Sequence, residues 1–180
     1  MNIPRTALAA IVSMACMTAA QANIVNFSGN TGDGETFNRL VEQLDKLSAI
    51  GNAVGYDSYS FSVETTGTYT FLTTADFDSF TFLYQGGFDA SAPLSNILAG
   101  DDDLFGTTTS GLFGELTAGT TYVLVITGYA NDNFGLFNST IGGPGNIVPT
   151  PAVPEPETAA MFALGLGVLE WARRRQAKAA

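Results

Sequence analysis

Between residues 56 and 141 apolar side chains recur at every second position, and that period restricts the chain to strands. Tyr59, Phe61 and Val63 alternate with Ser58, Ser60 and Ser62. Tyr69 and Phe71 follow a Thr66-Gly67 turn, which reads as the second arm of a hairpin. Phe80, Phe82 and Tyr84 form a further aromatic strand, and Tyr122, Val123, Leu124, Val125 and Ile126 make a buried one. Leu112 and Leu116 flank a short strand, residues 134–141 close the set, and residues 23–28 open it. Residues 85–103 read as a long polar excursion. Six to eight short strands with turn residues between them predict an all-β fold, an antiparallel β-sandwich.

One stretch breaks the period. Phe37, Leu40, Val41, Leu44 and Leu47 recur at three- and four-residue intervals, with Glu42, Gln43, Asp45 and Lys46 between them. That is one apolar helical face and predicts a single short helix over about 35–48. The Gly142-Gly143-Pro144-Gly145 run marks the domain edge, so the sandwich is expected over 23–145 and a linker over 146–153.

Both ends of the chain differ in kind. Residues 1–22 carry Arg5, an apolar stretch too short to span a bilayer, and the small residues Ala20 and Ala22. This is the pattern of a signal peptide cleaved by signal peptidase before Asn23. The only cysteine, Cys16, lies inside it, with Ser13 where a lipoprotein signal needs a branched apolar residue. Cleavage therefore leaves a chain without disulfides, thiolate metal sites or cysteine nucleophiles.

At the other end Pro154, Glu155 and Pro156 precede an apolar run, a transmembrane segment over about 158–172, and then Arg173, Arg174, Arg175 and Lys178. The prolines favour an extended backbone that enters a protease groove, and the arginines hold their end on the cytoplasmic side. At ~1.5 Å per residue the run reaches only ~21 Å against a ~30 Å hydrocarbon layer, which suits a temporary anchor. Residues 154–178 resemble the PEP-CTERM sorting signal on the strength of Pro154-Glu155-Pro156, Gly165 and Gly167 in the apolar run, and the arginine cluster. Glu170 departs from that pattern, which usually runs small or apolar residues into the arginines. The resemblance implies an exported protein of a Gram-negative bacterium. It is held in the inner membrane and processed by an exosortase-type membrane protease, then passed to the envelope or an exopolysaccharide matrix.

Between the two ends stand fourteen Asp and Glu against Arg39 and Lys46 alone, a net charge of about −12. Nucleic acid and anionic lipid head groups are excluded as partners on that ground. Histidine is absent, which removes the commonest general base and transition-metal ligand.

Asp101, Asp102 and Asp103, with Asp89, are the one cluster suited to calcium, which takes six to eight oxygens from loops. The competing reading is that they cap turns through their own backbone. Asp76 and Asp78 are paired carboxylates of the kind glycosidases use, although solvated strand-start residues have the same spacing. Phe88, Tyr129 and Phe134 lie in or near loops and are the aromatics free to stack on extracellular polysaccharide, while Arg39 reads as an internal salt-bridge partner. No catalytic set stands out. Residues 56–141 also resemble the bacterial pre-peptidase C-terminal type of sandwich. The likeness rests on Tyr59-Ser60-Phe61-Ser62-Val63, Gly67-Thr68-Tyr69-Thr70-Phe71, Asp78-Ser79-Phe80-Thr81-Phe82-Leu83-Tyr84, Asp102-Asp103 and Leu116-Thr117-Ala118-Gly119-Thr120-Thr121-Tyr122. It implies a jelly-roll-like architecture. The expected role is a structural or adhesive one, the alternative a calcium-assisted carbohydrate-binding module.

Overall fold

The computed structural model describes residues 22–150; the expected signal peptide up to Gln21, the sorting signal and its apolar segment lie outside them. Ten strands occur: β1 (Asn23–Asn30), β2 (Thr36–Phe37), β3 (Val54–Val63), β4 (Gly67–Ala75), β5 (Ser79–Gln85), β6 (Ile97–Asp101), β7 (Thr109–Leu116), β8 (Thr121–Gly128), β9 (Leu136–Gly143) and β10 (Ile147–Pro149). One sheet runs β1-β9-β4-β7 and the other β10-β3-β8-β5-β6, with β2 on the free end of β3. Every pairing is antiparallel. Among the eight long strands only the β5–β6 connection stays within a sheet, which is the winding of a jelly roll.

The two sheets close on Phe61, Tyr69, Phe71, Leu83, Leu116, Tyr122, Leu124, Ile126, Phe137 and Ile141, all buried. This arrangement explains why the expected β3–β4 hairpin is absent. Phe61 and Phe71 meet at 6.1 Å between ring centroids, but from opposite sheets, since β3 pairs with β8 and β4 with β7 and β9. A hairpin would place all these rings on one face and leave them without a facing layer. At one end the interior is polar. Thr81, on β5, bonds Thr73 at 2.9 Å and Ser110 at 2.7 Å, while Thr73 meets Ser139 at 2.9 Å, so fully buried hydroxyls satisfy one another between the sheets.

The second sheet is apolar on its outer face too. Phe80, Phe82, Tyr84, Val123 and Val125 point away from the first core and are buried under Phe37, Leu40 and Val54, with Leu44 and Phe88 packed alongside. The cover comes from the segment expected to be a helix, and residues 35–48 contain none. Thr36 and Phe37 pair with Gly55 and Val54, Leu40 bridges Leu47, and a turn at Leu44 (φ 59°) reverses the chain. The spacing identified Phe37, Leu40 and Leu44 as apolar contacts, but the backbone bonds to β3, to Gly51 and across its own turn, with Val41 N–H donating to Lys46 C=O at 3.0 Å and Ser48 N–H to Arg39 C=O at 2.8 Å, instead of along a helix. Leu47, which a helical face would bury with the others, is 40% exposed while Leu40 is 0% exposed.

Two further boundaries differ from expectation. The polar excursion 85–103 contains β6, paired with β5 through a register shift at Leu83/Tyr84. The first residues of the expected linker form β10, whose Ile147 faces Val63 and is buried, and Thr150 N–H donates to Ser60 C=O at 2.8 Å. The half of β3 that β2 leaves open is thereby paired.

Leu40→Ala should lower the unfolding free energy by about 2–5 kcal/mol, and Leu47→Ala by under about 1 kcal/mol. Urea denaturation of the two variants checks this, and equal losses would restore the helical face.

Candidate functional site

The four aspartates considered for calcium are not gathered into one site. Asp89 accepts the N–H of Ser91 at 2.8 Å and its hydroxyl at 2.7 Å, and these bonds hold its carboxyl below the usual range. This is an Asx turn. Asp101 accepts the N–H of Gly111 at 2.9 Å, and Asp103 is exposed. Among the described residues no three acidic, histidine or cysteine side chains come together in a set able to hold a metal ion.

Asp102 is different, with 8% of its surface exposed. Burial first, then the fields of Glu42 and Asp103, push its carboxyl up to about 6. Asp78 is raised as well, by burial and by Asp103, with Arg39 opposing. Asp76 and Asp78 lie in the β4–β5 connection, where Asp78 C=O accepts the N–H of Tyr129 at 2.9 Å.

The centre of this end of the molecule is Arg39, 2% exposed. Among the described residues its hydrogen-bond partners are carbonyl oxygens and not the carboxylate of a salt bridge. Its Nε and one terminal nitrogen donate to Tyr129 C=O at 2.8 and 2.6 Å, and the other terminal nitrogen donates to Leu40 C=O at 2.6 Å. The guanidinium also lies over the Phe80 and Tyr129 rings, 4.8 and 4.5 Å from their centroids. Burial lowers its pKa, against the raising fields of Tyr129, Asp102 and Asp78. It ties the covering segment to the β8–β9 loop. The sequence offered one hint of this role: a domain holding only two basic residues among fourteen acidic ones places one of them at a fixed position.

The loop aromatics divide. Phe88 packs edge-on to Phe37 and Tyr56 at 5.2 Å, and Tyr129 is occupied by Arg39, so both belong to the second core. Tyr84, beside Phe88, buries a hydroxyl with no hydrogen-bond partner among the described residues, and burial raises its pKa. Phe134 stays 56% exposed. Among the described residues the most exposed rings are Phe105 at 84% and Phe113 at 77%, neither of which the alternation singles out. They border an apolar groove of about 540 Å³ together with Leu72, Leu104 and Gly111.

β10 and Thr150, the last of the described residues, are hydrogen-bonded to β3. Two positions later, residues 152–176 match the family described as the PEP-CTERM protein-sorting motif. The chain carries a PEP-CTERM sorting signal. The match includes Pro154, Glu155 and Pro156 and the arginines Arg173, Arg174 and Arg175. A PEP-CTERM motif implies an exported protein processed by an exosortase, a membrane protease. Among the described residues no helix is long and apolar enough to cross a membrane; the apolar run of the PEP-CTERM segment lies outside them.

No curated protein matches the chain in sequence. Among solved structures it is similar to the pre-peptidase C-terminal domain of Bacillus anthracis collagenase: 13% identity, TM-score 0.41, over 65% of this chain and 87% of that one. It is also similar to the K3 cleaved adhesin domain of Porphyromonas gingivalis Lys-gingipain: 16% identity, TM-score 0.34, over 68% and 91%. A third is the epithelial adhesin 6 A domain of Candida glabrata, solved with Galβ1-3GlcNAc: 22% identity, TM-score 0.34, over 72% and 59%.

The raised carboxyl of Asp102 has a consequence for stability. Folded Asp102 holds its proton to about pH 6, whereas the unfolded residue releases it near 3.8. Between those values the folded state binds more protons, so this contribution is full below the lower pH and lost as pH rises through the upper one. Thermal melts from pH 4 to pH 7 should therefore fall less in Asp102→Asn than in the parent. Parallel curves would remove Asp102 as the cause.

Proposed function

We propose that this chain is a non-enzymatic exported protein, sorted by its PEP-CTERM signal to the cell envelope or to an exopolysaccharide matrix. There the sandwich serves as a structural or adhesive module. The observation that carries this reading is the match at residues 152–176, which follows the folded acidic sandwich in sequence. The order of features supports it: a cleavable signal, a sandwich without cysteine after residue 16, an extended Pro-Glu-Pro segment, an apolar run and a basic stop. The calcium-assisted carbohydrate-binding reading has no such support, since the carboxylates of Asp89 and Asp101 already accept backbone N–H groups.

Replacing Pro154, Glu155 and Pro156 together by alanine should leave the protein in the membrane fraction, while the parent is released. Cell fractionation with an antibody against the sandwich reads the difference. Release of the triple variant at the parental level would overturn sorting through this segment.

A further inference from the structure

The outer faces of the two sheets differ. That of the second sheet lies under the 37–44 cover and Phe88, while that of β1-β9-β4-β7 is open among the described residues. On β4, Thr68, Thr70, Leu72 and Thr74 point outward between the buried Tyr69, Phe71 and Thr73. Unbroken registers carry these rows sideways: Thr70 lies between Gly142 and Phe113, and Leu72 between Thr140 and Gly111, with Asn26 beyond Thr140. Charge is nearly absent from this sheet. Of the domain's fourteen Asp and Glu only Glu115 stands on its strands, with its side chain engaged by the Thr68 hydroxyl, and neither Arg39 nor Lys46 does.

The β7 side of the face is a groove with its own wall. Leu104 packs over Gly111, where a Cβ would meet it at 2.6 Å, so the 102–108 connection rises beside the sheet. Phe105 from that connection and Phe113 from β7 are the two exposed rings of the groove, and Asp101 and Thr70 share its lining. Asp101 is held in place, since one of its carboxylate oxygens accepts Gly111 N–H at 2.9 Å. Phe134, the exposed loop ring, is by contrast the single ring lining a smaller hollow of about 200 Å³.

We propose that the groove and the open face bind a neutral polysaccharide without calcium, one sugar in the groove and the chain continuing across the sheet. This rests on the reading of the sandwich as an adhesive module and names the class of its ligand. A pyranose presents an apolar C–H face and a rim of hydroxyls, and the groove meets both. The two rings and Leu72 take the face, and the Asp101 carboxylate and Thr70 hydroxyl take the rim. A lipid tail or an apolar protein surface would desolvate that carboxylate and return no donor. A polyanion, or a second copy of the chain, meets a domain of net charge about −12. A polycation is drawn instead to the carboxylates of the loops, which this sheet lacks. Neighbouring strands stand ~4.8 Å apart, close to the length of one pyranose in an extended chain, so a linear ligand lying across the strands meets one strand per sugar. Thr140 and Asn26, bonded to each other at 2.7 Å, are the next hydroxyl and amide along that path.

Native gels containing polysaccharide test this on the full chain, whose net charge of −10 drives its migration. A soluble β-glucan, a galactomannan and dextran are the neutral probes, and alginate is the anionic one. At least one neutral probe should retard the chain, equally in calcium and in chelator, and alginate should not. Phe105→Ala and Phe113→Ala should each raise the probe concentration for half-retardation about tenfold, and Phe134→Ala should leave it unchanged. Both groove rings are exposed, so thermal melts of these variants should match the parent and separate lost binding from lost folding. Equal migration in all the gels, retardation by alginate, a requirement for calcium, or full retardation of both groove variants would each overturn the proposal. Cell fractionation keeps it apart from the sorting reading: with no retardation but normal release, the polysaccharide site falls and the sorted structural module stands.

Discussion

Strand β8 has no polar side. Tyr122, Leu124 and Ile126 enter the space between the sheets, while Val123 and Val125 enter a second core on the opposite face. Neighbouring β5 repeats the arrangement with Phe80, Phe82 and Tyr84 on the outer face. A two-layer sandwich covers only one of those faces, and an uncovered sheet of phenylalanine and valine is an association surface. The covering segment from Phe37 to Leu44, with Phe88 beside it, follows from that constraint. So does the burial of Arg39, whose guanidinium fixes the cover to the Tyr129 carbonyl.

Much of this was legible because a period of two survives in the residues themselves. Tyr59-Ser60-Phe61-Ser62-Val63 gave a strand with the correct inward face, and the continuous apolar run of β8 gave a strand buried on both sides. The errors arose where partners are distant in sequence. Phe37, Leu40 and Leu44 have helical spacing, but β3 offers them an open ladder at Val54 and Gly55, and tertiary pairing outweighs local preference. The Thr66-Gly67 turn looks like a hairpin, yet Phe61 and Phe71 are wanted on opposite walls of one core. Phe80, Phe82 and Tyr84 marked β5 as an aromatic strand, but Ser79 and Thr81 also lie inside, bonded to Ser110 and Thr73 from the facing sheet. No pattern within β5 could announce a hydroxyl partner supplied by another sheet.

The candidate sites show the same division. The sorting signal was readable because it is a linear arrangement of residue types, and residues 152–176 match that family. The aspartates were readable as acidic but not as occupied: one caps its own turn, another caps the neighbouring edge strand, and a third is buried. Of the three loop rings expected to be free, Phe134 is exposed and the other two are not, for a related reason. Loop position suggested Phe88 and Tyr129, which the second core absorbs, whereas Phe113 stands on a regular strand whose outer face has no covering layer.

Charge connects the folded part to its tail. The domain's cations are few, and the hydrogen bonds of Arg39 go to carbonyl oxygens and its face to aromatic rings. The positive charge of the chain is concentrated instead at its far end, in Arg173, Arg174, Arg175 and Lys178. From Thr150 to Pro154 the covalent chain reaches at most about 14 Å, so the acidic sandwich and the Pro-Glu-Pro segment are neighbours whatever path joins them. Under the positive-inside rule the arginine end stays on the cytoplasmic side of an apolar run. On the proposed reading the strongly negative sandwich then stands on the opposite side, its β10 strand only a few residues in sequence from the segment a protease must reach. On that reading the fold's contribution to sorting is positional, and the separation of charge along the sequence sets which way the chain faces.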